Sequence, residues 1–79
     1  MTRAFIAAAT GYTGRALVAE WMRRGHQAVA HIRPASSSLE ARRAEFESLG
    51  AQVDTSRWEL DAMKSAIAAH APEVVFALL

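Results

Sequence analysis

Two kinds of apolar pattern alternate along this chain. Short, nearly unbroken apolar runs occupy residues 3–9, 27–32 and 73–79, as in strands whose two faces are both covered in a parallel sheet. Between them, apolar residues recur at helical spacing. Leu17, Val18, Trp21 and Met22 fall on one face of a segment from 13 to 24, with Arg15, Glu20, Arg23 and Arg24 outside. Gly25 stands where such a helix takes its left-handed closing residue. Arg33 and Pro34 end the second strand, because proline cannot extend a central strand. Ser36, Ser37 and Ser38 precede a second helix, and Ser37 with Glu40 has the spacing of a capping box. That helix is expected to run to about Leu49, burying Leu39, Phe46 and Leu49, with Gly50 closing it. Residues 52–54 read as a short third strand. Leu60, Met63, Ile67 and Ala71 define a third amphipathic helix that stops before Pro72. Val74, Val75, Phe76, Ala77, Leu78 and Leu79 then make a last, buried strand.

The predicted order is β-α-β-α-β-α-β, without repeats, linkers or low-complexity segments. Strands and helices alternating at this period form right-handed crossovers and a parallel sheet. Two strand orders are compatible with it. A dinucleotide-binding unit orders the strands 3-2-1-4, whereas a flavodoxin-like or receiver-type scaffold orders them 2-1-3-4. A receiver also wants clustered acids at its strand ends, and the first strand here has none. The expected fold is therefore α/β, a half-Rossmann unit of order 3-2-1-4.

Composition narrows the possibilities. At 79 residues the chain is one small domain, a size that buries only about 60–65% of its unfolded surface. With 52% apolar and 22% charged residues it has material for a core, which excludes disorder. Net charge is +1 and basic and acidic residues are interspersed, so nothing points to nucleic acid. The absence of cysteine excludes disulfides, zinc thiolates and thiol nucleophiles within the chain. No apolar stretch approaches the roughly 18 residues of a membrane span and nothing resembles a signal peptide, so a cytoplasmic location is expected.

Candidate chemistry concentrates after the first strand, in Ala8-Ala9-Thr10-Gly11-Tyr12-Thr13-Gly14-Arg15. A strand feeding a glycine-containing turn that opens a helix can hold a phosphate. The first helical N–H groups lack intrahelical partners, and the macrodipole makes that end partly positive. Gly11 would let a pyrophosphate approach the backbone, and Gly14 would let the helix pack closely on its strand. Against G-x-G-x-x-G the segment offers Ala9, Gly11 and Gly14, one glycine short. Thr10 and Thr13 either donate hydroxyls to a phosphate or cap the helix. Tyr12 either packs against the chain or stacks on a ligand. Arg15 is unfavourable at a helix start, so a nearby anion is expected, or else it is a surface residue. At the end of the second strand, about 20 residues beyond the turn, a carboxylate would bind the 2′-hydroxyl of NAD and an arginine the 2′-phosphate of NADP. Arg33 stands there, with no acidic residue between Glu20 and Glu40. The alternative for Arg33 is a solvated strand end. His26, His31 and His70 share no metal-ligand spacing, and Trp21 and Trp58 read as packing residues. The single tyrosine has no lysine four residues on, and no catalytic residue is assigned.

With Thr10-Gly11-Tyr12-Thr13-Gly14-Arg15, Gly25-His26 and Arg33-Pro34, the sequence resembles the NADP-binding start of an atypical or extended short-chain dehydrogenase/reductase, in the NmrA-like and isoflavone-reductase-like branch. The resemblance covers residues 1–79 but only the front part of that family's cofactor domain. There the turn reads G-x-x-G-x-x-G, and Ala8 takes the first glycine's place. An alanine is harmless there if extended, and costs about 1 kcal/mol or more if φ is positive. The resemblance implies that Gly11, Tyr12, Thr13 and Gly14 line the pyrophosphate and that Arg33 meets the 2′-phosphate. Where the family carries a Gly-Asp pair near the adenine, Ser56-Arg57 stand, and no role is carried over. The implied function is the NADP(H)-binding portion of an oxidoreductase, with catalytic residues and small-molecule substrate belonging to a fuller form. A non-catalytic NADP(H)-sensing module is the alternative. The uncharged last strand is expected to lie at a sheet edge and to promote self-association.

Overall fold

The structure is a computed structural model that describes residues 1–77. Four strands, β1 (Arg3–Ala7), β2 (Gln27–His31), β3 (Gln52–Asp54) and β4 (Val74–Ala77), alternate with three helices, α1 (Tyr12–Arg23), α2 (Leu39–Ser48) and α3 (Leu60–His70). The strands form one sheet, all parallel, in the order β3-β2-β1-β4. This is the dinucleotide order, and it excludes the 2-1-3-4 scaffold. Register places Phe5 opposite Val29 on one side and Val75 on the other.

Alternation along β1 divides the core in two. Ala4 and Ile6 face α1 and α2, packing with Val18, Phe46, Ala28, Ala30 and Ile32. Phe5 and Ala7 face the other way, onto Val29 and the Ala66 side of α3. One face of the sheet thus carries two helices and the other carries one.

Helix α1 buries Gly14 and Val18, with Leu17, Trp21 and Met22 half-buried against the same core. Gly25 and Gly50 follow α1 and α2 at φ +83° and +87°. Their N–H groups donate to Met22 and Glu47, closing both helices as their positions predict. The capping box does not form. Ser38, not Ser37, is the N-cap of α2, and its side chain makes no cap bond. The chain turns tightly first, Ser36 N–H donating to the Arg33 carbonyl. Ser36 then accepts the Ser38 N–H on its hydroxyl at 3.3 Å and the Leu39 N–H on its carbonyl at 3.3 Å.

Four expectations about the core are corrected. Ala71, expected on the apolar face of the third helix, is its exposed left-handed C-cap at φ +48°. Leu49 is the C-cap of α2 and lies at the surface. Leu60, at the start of α3, is 72% exposed, because α3 buries Ala66, with Met63 and Ile67 packed beside it. The last strand is not buried on both faces. Val74 and Phe76 pack towards α1, while Val75 is 46% exposed on the single-helix side. Leu78 and Leu79 of that expected strand lie outside the described residues.

Candidate functional site

In open parallel sheets ligands bind beyond the carboxyl ends of the strands, where the strand order reverses. Here that point lies between β1 and β4, and the loops after β1, β2 and β3 converge beside it. The loop after β1 is the glycine turn. Ala8 adopts φ +52°, in the left-handed region. Its N–H donates to His31 Nδ1 at 3.1 Å, and the Ala9 N–H donates to the His31 carbonyl at 2.9 Å. Gly11 is the N-cap of α1, with φ −79° and ψ 174°.

The two glycines of the turn differ in kind. A Cβ on Gly14 would lie 2.7 Å from the Ala9 Cα. That contact is backbone on backbone, so Gly14 is what allows α1 to sit on the end of β1. A Cβ on Gly11 would meet nothing within 4 Å, and its extended backbone suits any residue. No requirement of the fold accounts for a glycine at position 11.

Thr10 and Thr13 do not cap α1, which has no side-chain cap. Among the described residues, no acceptor meets the N–H groups of Tyr12, Thr13 and Gly14, and the first bond back is from Arg15 to the Gly11 carbonyl at 3.0 Å. Three donors at the positive end of α1 are therefore unpaired, two on exposed residues, Tyr12 and Thr13, and one on the buried Gly14. Tyr12 does not pack against the chain, being 90% exposed at the tip. The anion that Arg15 calls for is Glu45 of α2, whose carboxylate it meets at 3.0 Å. Arg42, three residues earlier on α2, meets the same carboxylate oxygen at 2.6 Å. The hydrogen bond from Arg15 holds the Glu45 carboxyl below the ordinary carboxylate value. Tyr12, Arg15, Ala16 and Glu45 line an open hollow of about 300 Å³ beside the turn.

Arg33, just past β2, is exposed and has no carboxylate partner among the described residues. Its guanidinium carbon lies 4.2 Å from the centroid of the Trp58 ring, a cation–π contact. Trp58 lies in the loop after β3 and is 41% exposed. Its other neighbour is His31, at 5.6 Å between ring centroids and 29° between planes. His31 in turn stacks on Phe5 at 6.1 Å. Of the two tryptophans, Trp21 is the packing residue, its Nε1 donating to the carbonyls of Thr2 and Gln27.

His31 is the residue that spacing arguments pass over. It is fully buried, and both ring nitrogens are engaged. Nδ1 accepts from Ala8, so the proton sits on Nε2, which donates to the Ser56 carbonyl at 2.9 Å. The imidazole thus ties the glycine turn to the loop after β3. Its signal in the sequence is a polar residue inside the apolar run Val29-Ala30-His31-Ile32.

Below it, Asp54 at the end of β3 accepts from the Ser56 N–H at 2.9 Å and meets His70 of α3 at 3.1 Å. Burial acts to raise the Asp54 carboxyl, but Ser56 and His70 outweigh it and hold the group below its ordinary value. Among the described residues, no group of three His, Asp or Glu side chains could hold a metal ion, and no helix is long and apolar enough to cross a membrane.

No protein-family model matches this sequence, and no curated protein matches it at a significant level. The fold and the site define the chain at the level of class, an α/β parallel-sheet domain with the strand order of dinucleotide-binding units.

Proposed function

We propose that this chain binds NADP(H) across the carboxyl ends of its strands. The pyrophosphate rests on the free N–H groups of Tyr12, Thr13 and Gly14, beside the open flank of Gly11. The 2′-phosphate meets the forked donors of Arg33. Thr10 and Thr13 are within the same turn and contribute hydroxyls, whereas Arg15, already paired with Glu45, shapes the rim. The observation that carries the reading is Gly11, a glycine that neither φ nor packing demands, next to three unpaired N–H donors. A ligand's approach accounts for the first and would use the second.

The residues present fit such a cofactor. Bound there, its nicotinamide supplies or accepts a hydride, and this chain's own share is to bind and orient it. The resemblance to atypical short-chain reductases supports an oxidoreductase role for the protein that carries this domain. Tyr12 is the single tyrosine and the one lysine, Lys64, lies on α3, so no tyrosine–lysine pair adjoins the turn.

Calorimetric titration with NADPH and NADH tests the reading. NADPH should bind more tightly by about 1–3 kcal/mol, the worth of one charge-assisted contact to phosphate. Arg33→Ala should erase that preference. Gly11→Val should lose both dinucleotides with an unchanged far-UV circular dichroism spectrum, since no neighbour opposes the new side chain. Retained binding in Gly11→Val would reduce the turn to a connection.

A further inference from the structure

We infer that Trp58 is a specificity-determining positioning residue, which presets Arg33 for a 2′-phosphate. The inference rests on the NADP(H) reading and deepens it. An exposed arginine just past the end of a strand ordinarily samples many rotamers, and ordering it on a ligand costs binding free energy. Arg33 is restrained beforehand, its guanidinium lying over the Trp58 ring at 4.2 Å. None of its N–H groups makes a hydrogen bond or ion pair among the described residues, so the donors remain available to fork onto phosphate while the ring holds the cation. With no carboxylate partner among the described residues, the charge of Arg33 is not neutralised in advance. Arg15, Arg23, Arg24, Arg42 and Arg57, by contrast, all pair with acids.

Trp58 is itself held. His31 stacks on it at 5.6 Å and donates to Ser56, two residues earlier in the same loop, at 2.9 Å. The same imidazole accepts the Ala8 N–H of the phosphate turn, and Phe5 of the central strand backs it at 6.1 Å. The layers Phe5, His31, Trp58 and Arg33 therefore run from the middle of the sheet to the cation. They link the element that would hold a pyrophosphate to the one that would hold a 2′-phosphate. What Trp58 holds is the Arg33 cation, so a positioning role falls on NADPH and spares NADH.

The test is a set of calorimetric titrations of NADPH and NADH against wild type, Trp58→Ala, Trp58→Leu, Trp58→Phe, Arg33→Ala and the Arg33→Ala/Trp58→Ala double variant. Trp58→Ala and Trp58→Leu should each cut the NADPH-to-NADH affinity ratio about 3- to 10-fold through NADPH alone, the scale of a partly exposed cation–π contact plus lost preorganisation. Leucine keeps apolar bulk if alanine compromises folding. Trp58→Phe, which retains a ring face, should keep most of the ratio. In the Arg33→Ala background, removing Trp58 should change nothing further. An unchanged ratio in both Trp58→Ala and Trp58→Leu, or equal losses for the two dinucleotides, overturns the inference while leaving the cofactor reading intact. A wild type that binds neither dinucleotide, or that loses no preference in Arg33→Ala, overturns the cofactor reading and this inference together.

Discussion

A left-handed backbone costs an L-residue about 1–2 kcal/mol, and Ala8 adopts one at φ +52°. The strain persists because both neighbouring N–H groups are claimed by His31, Ala8 by the ring and Ala9 by the carbonyl. Glycine at position 8 would remove the strain and return about 0.4–1 kcal/mol to the unfolded chain as entropy. Ala8→Gly should therefore raise stability by up to about 1 kcal/mol, read as a higher urea midpoint with an unchanged slope. A lower midpoint would mean that the Ala8 methyl contributes packing that outweighs the strain. The sequence already marked Ala8 as the departure from G-x-x-G-x-x-G, and it marked Gly11, Gly14 and Arg33. It could not show His31 at work, because that role depends on Ala8 and Ser56, residues brought to the ring by two separate strand pairings. Spacing tests whether histidines could share a metal; it does not test whether one could join two loops.

Each element was legible where its hydrophobic period was long, and least so at its ends. Helix α1 shows the first case, its apolar face surviving into the fold. Helix α2 shows the second, since a tight turn at Arg33–Ser36 decides which serine opens it. The junction of β3 and α3 illustrates what only three-dimensional pairing supplies. Asp54 at the end of β3 meets both Ser56 and His70, and its folded carboxyl is held below the ordinary 3.8. A carboxyl lowered on folding stabilises the native state at pH values above its unfolded value. That contribution is lost as pH falls through the lower, folded value. Asp54→Asn should accordingly flatten the decline of stability between about pH 5 and pH 2 relative to wild type. Urea midpoints across that interval measure it, and parallel declines for the two proteins would show that Asp54 contributes no such linkage.

At the scale of the molecule, the 3-2-1-4 order follows from the alternation of strands and helices together with the glycine turn, and the sheet has it. What the pattern concealed was the unequal cover of the two faces. Because α3 is alone on its side among the described residues, Ala7, Met63, Ile67 and Val75 border an open apolar groove of about 360 Å³. Beside it β4 forms one edge of the sheet, without charge or proline in Val74–Ala77. Flat apolar edges of this kind recruit further strands. The chain is expected to self-associate through β4 at micromolar concentration, and Val75→Lys should shift it towards monomer in sedimentation equilibrium. Val75 is the better probe than Phe76, whose ring packs edge-on against Trp21 at 5.6 Å. Wild type sedimenting as a folded monomer would refute the expectation. The two tryptophans, finally, lie at opposite ends of the sheet. Trp21 donates to Thr2 and Gln27 where the strands begin, and Trp58 sits under Arg33 where they end. The molecule therefore carries two built-in fluorophores with separate duties: if the proposed cofactor binds, emission from Trp58 should report it at the carboxyl ends, while emission from Trp21 reports whether the sheet is intact.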